Sequence, residues 1–478
     1  MRRHGEGRSV REPGHSPGGE KPRRPKPVHR IGLVVAWLGA LLASAAAAGT
    51  GTPVSLGPVE DVVAGLGDSG LGRLAAEVIG NSPELAALRA QAQAAAQRAP
   101  QVGSLPDPTA SLTAYLLTPE TRVGPQRAVV SLAQRLPWFG KLGLREQVAL
   151  EASVAARSRV EAKALQLVTE TRRLFIELAF LGAWEQAVHL DRDTLSHYET
   201  LARARYASGV GLDQAVVKIQ AEITRDDSRL LDIAARRATL VAALNDLRAA
   251  PRDAALPDPD LPAVTKLGLD VDVLLSQALQ RRPELAGADA EIRGAALRID
   301  LAKKEREPDV TLGLTYALVG RRDDPAGRAS PPTDNGQDVL GISGAVTLPL
   351  WHARITAGIE EAAATRLAAE STRKAVENRI AAALSDLSQR IGLTGQQVHL
   401  FDRVLMVQAE QSLRSAESAY AAGTVNALDL LDAERLVLEV RTSSARARAD
   451  HAIAIARLEG EIAAPLPVAT AAEEATND

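Results

Sequence analysis

The chain of 478 residues contains no cysteine, only two methionines and just 3% aromatic side chains. The first absence excludes disulfides, thiolate metal sites, a cysteine nucleophile and an N-terminal lipidated cysteine. The second leaves few soft metal ligands. The third is low for a compact enzyme core. Alanine and leucine carry most of the apolar mass instead, the composition of long helices packed closely together. Long apolar runs are also scarce. The one that stands out, IGLVVAWLGALL at Ile31–Leu42, follows a basic, Pro- and Gly-rich stretch and precedes ASAAAAG. It is too short for a permanent bilayer span, so residues 1–49 are expected to be a secretory signal with a basic extension; the rival reading is a membrane anchor. Residues 1–30 hold nine Lys or Arg against three Asp or Glu, which leaves the remainder acidic and argues against nucleic-acid binding.

What is present is repetition. NSPELAALRAQAQAAAQ at Asn81–Gln97 answers to RRPELAGADAEIRGAAL at Arg281–Leu297. PDPTASLTAYLL at Pro106–Leu117 answers to PDVTLGLTYALV at Pro308–Val319, and Leu136-Pro137-Trp138 to Leu348, Pro349 and Trp351. ARYASG, ending at Gly209, answers to SAYAAG, ending at Gly423, and the offsets grow only from 200 through 202 and 212 to 214. A period that long indicates duplication of a whole unit and not a solenoid. The first unit is expected over residues 50–250 and the second over 265–465, joined by the Pro-rich linker 251–264 and followed by a disordered tail, 466–478.

Each unit changes periodicity in the same order. A helical pattern leads. Two period-two runs follow, predicting β-hairpins over 109–136 and 310–348 with one apolar and one small or polar face. Next come long helical hairpins, 138–250 and 350–463. One helix from Trp138 to Tyr206 would run about 100 Å. The returning arm carries a heptad seam through Val216, Ile219, Ile223, Asp226, Leu230, Ile233, Arg237, Leu240, Leu244 and Leu247, the mark of coiled-coil packing. Its two charged members are expected where the helix meets a wet neighbour. The expected fold is mostly α with a small β part.

Four strands with one apolar face cannot close a transmembrane barrel, which starts at about eight strands. Open strand edges cannot sit in lipid either. A barrel shared among identical subunits reconciles export with alternation; a half-buried sheet on a soluble helical core is the alternative. In this order of elements, and most specifically in YAAGTVNALDLLDAE at Tyr420–Glu434, the chain resembles the TolC family of outer-membrane efflux ducts from about Leu71 to Ile462. The PWFGK form at Pro137–Lys141 is similar to the metal-exporting, CusC- or CzcC-like branch.

The resemblance implies a homotrimer in the outer membrane of a Gram-negative bacterium, with a twelve-stranded barrel continued by a periplasmic α-helical tunnel. It further implies outer-membrane lipid around the barrel, a periplasmic adaptor, and an inner-membrane RND or ABC pump. No cofactor, resident metal, nucleic acid or enzymatic activity is expected. Pro137, Trp138, Pro349 and Trp351 would mark the barrel-to-tunnel junction, where proline ends a strand and indoles suit the membrane interface. A tryptophan that merely fills core is the plainer reading. Tyr206, Gly209, Val210, Gly423 and Thr424 would form the adaptor-docking tip turns. Asp429, Asp432 and Tyr420 would form the gate or aperture, with the acids stacked in rings under a threefold; the bland reading is a solvated face or caps. Two departures stand out: Val425 where the best-known member has a base, and Ala215 where an acid is expected.

Other functions fit less well. An adaptor or coiled-coil scaffold should show one hairpin interrupting a β-rich domain, and a type I secretion duct would share the same architecture. GLGDSG at Gly65–Gly70 has nucleotide-loop spacing but no βαβ unit around it. His189 and His197 flank Asp191 and Asp193 without a metal-ligand arrangement.

Overall fold

Capping chemistry sets where the chain turns helical in the computed structural model, which describes residues 57–67, 69–209, 212–265 and 267–466. The expected signal region, Val210 and nearly all of the expected tail lie outside those residues. After α1 (Pro58–Gly65), the Ser69 hydroxyl accepts the Gly72 N–H to start α2 (Gly70–Asn81). Ser82 and Pro83 start α3 (Pro83–Gly103) in the same manner. Strands β1 (Thr109–Ala114), β2 (Glu120–Thr121) and β3 (Gly124–Leu136) follow, then α4 (Lys141–Ala207) and α5 (Asp213–Leu247).

The second half repeats that order. Helix α6 (Val271–Arg281), capped by Asp270, precedes α7 (Pro283–Lys304). Strand β4 (Val310–Val319) and β5 (Val339–Val346) flank the single-turn α8 (Pro325–Ala329). Helix α9 (His352–Leu400) passes through a π-helical turn, Phe401–Leu405, into α10 (Met406–Ala422), and α11 (Ala427–Ile462) returns. The second outgoing arm is therefore not a plain α-helix, whereas α4 runs 67 residues unbroken. One residue more separates Trp351 from Gly423 than Trp138 from Gly209, and an i→i+5 turn absorbs such an insertion without breaking the helix.

The sheet order is β1-β3-β4-β5, all antiparallel, with β2 paired to β3. The two hairpins join through β3 and β4, from Leu136↔Val310 to Gln126↔Val319. Among the described residues no helix packs broadly across this sheet. Helix α4 is the spine of the helical part, packing on α3, α5, α7 and α11. Apolar clusters line it in turn: Val78, Leu85, Val160 and Leu165 near the sheet-proximal half, Ile176, Phe180, Ile233 and Ile453 further down, and Leu195, Ile219, Leu430 and Leu431 near the turns. The heptad seam buries Val216, Ile219, Ile233 and Leu244 as its spacing predicts. Asp226 departs from expectation. It is 0% exposed and meets other carboxylates, not water. Leu466, the first residue of the expected disordered tail, is buried, and its N–H donates to Glu459 Oε1 at 2.8 Å. Among the described residues no helix is long and apolar enough to cross a membrane.

Candidate functional site

At the foot of β3, Pro137 follows the last ladder residue, Leu136, and cannot extend the pairing. The chain turns through Gly140, at φ +85°, directly into α4. The first helical residue, Lys141, is buried, a position that lysine holds only when paired. Its Nζ donates to Asp309 Oδ1 and to the Glu307 carbonyl, both at 2.9 Å. Asp309 Oδ1 also accepts the Trp138 N–H at 3.1 Å, and Oδ2 accepts from Arg135 at 2.7 Å. Burial pushes the Asp309 carboxyl up, but the hydrogen bonds from Lys141, Arg135 and Trp138 outweigh it and hold the group at about 2. Three donors from the first half thus converge on one acid at the start of β4.

The second junction lacks such a lock. Pro349 follows Leu348, two residues past the end of β5, and Trp351 is 75% exposed at the start of α9 with no side-chain cap. Trp138 is half-buried and packs edge-on against Phe139, which is itself exposed. The four junction residues therefore sit where strand becomes helix. Lys141 and Asp309, which hold the first junction, were missed by sequence reading. The recurring Pro-Asp before each first strand was a signal for Asp309, although its counterpart Asp107 is exposed.

At the opposite ends of the long helices, Gly209 (φ +75°) and Gly423 (φ +77°) adopt the left-handed conformation, and their N–H groups donate to the Tyr206 and Tyr420 carbonyls at 3.0 Å. Thr424 N–H and hydroxyl both donate to the Ala419 carbonyl. Tyr206 is exposed, but Tyr420 is buried between the hairpins. Arg205 on α4 donates to the Tyr420 carbonyl, with its guanidinium carbon 4.8 Å from the tyrosine ring centroid. Tyr198 OH donates to Glu417 at 2.5 Å nearby. Val425 and Ala215, the two departures from the family pattern, pack against the same apolar cluster as Tyr420. Arg205 instead supplies a cation there, a role the sequence did not reveal.

Asp429 and Asp432 lie in the first turns of α11, along a groove with Gln408, Gln411 and Ser415. Neither is a free carboxylate. Asp429 accepts the Asn426 N–H at 3.3 Å in a reciprocal capping box, and Asp432 accepts from Arg435 at 3.0 Å. Arg435 also donates to Glu222 on α5. Of the remaining candidates, His189, Asp193 and His197 are exposed while Asp191 is buried, so they do not converge. No metal-binding group of three or more His, Cys, Asp or Glu occurs among the described residues. GLGDSG lies between two helices, with no strand leading into it.

Residues 274–462 match the family described as outer membrane efflux protein. Curated relatives include the probable outer membrane lipoprotein SilC of Salmonella typhimurium, 24% identical over 64% of this chain and 66% of its own. The pyoverdine export outer membrane protein OpmQ of Pseudomonas aeruginosa is 25% identical over 66% and 62%. The alignments thus span slightly under two thirds of those relatives' lengths. Among solved structures, VceC from Vibrio cholerae superposes at TM-score 0.68 with 21% identity, covering 83% of this chain and 97% of its own. CusC does so at 0.69 with 16% identity, covering 83% and 92%. The match over residues 274–462, the two relatives and the shared fold all point to an outer membrane efflux protein, placed in the outer membrane.

Proposed function

We propose that three copies of this chain form a passive exit duct, in which a twelve-stranded barrel crosses the outer membrane and the helical hairpins extend as a periplasmic tunnel. The observation that carries this is the bare sheet. Leu112 is 70% and Ile342 86% exposed, β1 and β5 offer unpaired outer edges, and among the described residues no helix packs broadly across either face. Such a sheet is stable in lipid only when its edges are closed by further strands. Trp351 and Phe139, exposed at the strand feet, suit a membrane interface. The two halves, 50–250 and 265–465, are read as copies of one duplicated unit.

The duct serves a tripartite system with an adaptor and an inner-membrane RND-type pump, which supplies the work; this chain catalyses nothing. The tip turns at Tyr206, Gly209, Gly423 and Thr424 receive the adaptor. Around the threefold, Asp429 and Asp432 surround the aperture, and the Arg205–Tyr420 contact holds the second hairpin against the first in the closed state. The cargo is heavy-metal cations or small toxic compounds, a reading supported by the PWFGK form. Sensitivity of a deletion strain to copper, zinc and cobalt, set against hydrophobic drugs, separates the two.

The test is reconstitution. Detergent-purified protein should run as a heat-modifiable trimer and conduct in planar bilayers, and Asp429→Ala with Asp432→Ala should raise conductance or weaken block by trivalent cations. A detergent-free soluble monomer sinks the duct; unchanged conductance and block sink the aperture.

A further inference from the structure

Three carboxylates lie buried where the hairpins meet. Asp191 on α4 is 4% exposed, Asp226 on α5 0% and Glu434 on α11 2%. They belong to different helices, two from the first hairpin and one from the second, and Asp191 is within hydrogen-bonding reach of both others. Arg229 donates to Asp226 Oδ1 at 2.6 Å, which leaves Oδ2 facing the cluster. Asp226 Oδ2, Asp191 Oδ1 and Glu434 Oε2 are all buried and meet no N–H or O–H donor. The other charged groups around them are engaged or more distant. Tyr198 on α4 gives its hydroxyl to Glu417 on α10, Arg441 on α11 acts on Glu434 only through its field, and Glu222 on α5 is taken by Arg225 and Arg435.

Three anions cannot share an apolar seam with one facing arginine; either a cation or protons must occupy it. The donor set for a metal ion is not assembled among the described residues. We propose that Asp191, Asp226 and Glu434 form a proton-held clasp, in which protons on Asp191 and Glu434 bind α11 to the first hairpin and are given up at alkaline pH. Burial first, and then the Asp226 and Glu434 neighbours, push the Asp191 carboxyl up to about 9; burial also pushes Glu434 up. The sign follows. Acids that bind protons more tightly when folded stabilise the packed state below the ordinary carboxylate range, and that contribution is lost as pH rises toward 9. Glu434 lies about 10 Å of helical rise from Ala427, the first residue of α11, so loosening the clasp frees the segment of α11 that carries Asp429 and Asp432. The clasp is a property of the chain itself and does not depend on the duct reading.

The test is amide hydrogen exchange on the full-length protein in detergent, comparing residues around Glu434 with those around Ala454 on the same helix. The internal reference cancels the intrinsic pH dependence of exchange. Protection near Glu434 relative to Ala454 should fall about tenfold or more between about pH 6 and pH 9. Asp191→Asn, whose amide donates at every pH, should flatten that fall, as should Glu434→Gln if the first variant folds poorly; Asp193→Asn, altering an exposed neighbour, should not. Parallel profiles for wild type and both cluster variants overturn the proposal, as does a fall removed by adding calcium or manganese, which would make the site a cation site.

Discussion

The two places where strand becomes helix carry the same Leu-Pro punctuation and do different physical work. At the first, a buried lysine, an arginine and a backbone N–H converge on Asp309, and the acid comes from the opposite half of the chain. At the second, Leu348, Leu350 and Trp351 stand exposed, and the turn is held by backbone bonds, Thr347 N–H to the Asp309 carbonyl, Leu350 N–H to the Leu348 carbonyl and His352 N–H to that of Leu350, with no buried ion pair. The Asp-to-Lys bond ties the hairpins to each other at the centre of the sheet, where β3 meets β4. The bare junction lies beside the open edge strand β5. A lock belongs where the chain must complete itself, and an exposed apolar foot belongs where something outside the chain completes it.

The largest expected effect breaks that contrast directly. Lys141→Met takes from the buried Asp309 its one buried cationic partner, leaving Arg135 and the Trp138 N–H, and should destabilise the folded protein by about 2–3 kcal/mol, the worth of a hydrogen bond between charged groups. Trp351→Ala, at a far larger side chain, should cost under about 1 kcal/mol in detergent because the ring loses little burial. Thermal unfolding of the two variants decides it; equal losses would mean that the junctions are equivalent after all.

A smaller effect sharpens the comparison through pH. Asp309 is held at about 2, so its contribution is present above the ordinary carboxylate range and is lost as pH falls through 2. Asp309→Asn should therefore cost about 2 kcal/mol at neutral pH, and that cost should shrink as pH falls toward 2 and vanish below it. The Asp191 cluster has the opposite sign, losing stability as pH rises. A single pH series on Asp309→Asn and Asp191→Asn should show the two slopes diverging; matching slopes would refute the assignment of one site or the other.

How much of this was legible beforehand follows range. Prolines 137 and 349, glycines 209 and 423, the alternation in β1, β3, β4 and β5, and the seam from Val216 to Leu244 act on their neighbours, and all were readable. The groups that hold these pieces together were not. Lys141 and Asp309 are 168 residues apart, and Arg205 and Tyr420 are 215 apart. Lys141 and Arg205 are residue types expected on a solvated helix face, and although Asp309 and Tyr420 carried local signals, nothing local paired either with its partner. Asp226 gave the clearest hint, as a charge at a heptad position, but a seam position alone does not say whether its neighbour is water or another acid. The β3–β4 pairing that joins the hairpins was likewise a choice between alternatives of equal pattern, and the π-helical turn left only a one-residue change of offset.

The smallest expected effect compares the two tip glycines. Both hold left-handed backbone, so alanine at either should cost about 1 kcal/mol from the conformation alone. The surroundings differ. A Cβ at Gly209 would meet open space, whereas at Gly423 it would come 3.1 Å from the Arg205 guanidinium that grips Tyr420. Arg205 ends a flexible side chain and can withdraw, so the added penalty is limited to the contacts it gives up, a cation–π interaction and one hydrogen bond, together about 1 kcal/mol. Gly423→Ala should thus be the more damaging by roughly that amount, and it should expose Arg205 to trypsin while Gly209→Ala does not. If the two variants unfold alike and neither opens the Arg205 site, the guanidinium contributes nothing to holding the hairpins together, and the apolar cluster around Leu195, Ile219, Leu430 and Leu431 carries that interface alone.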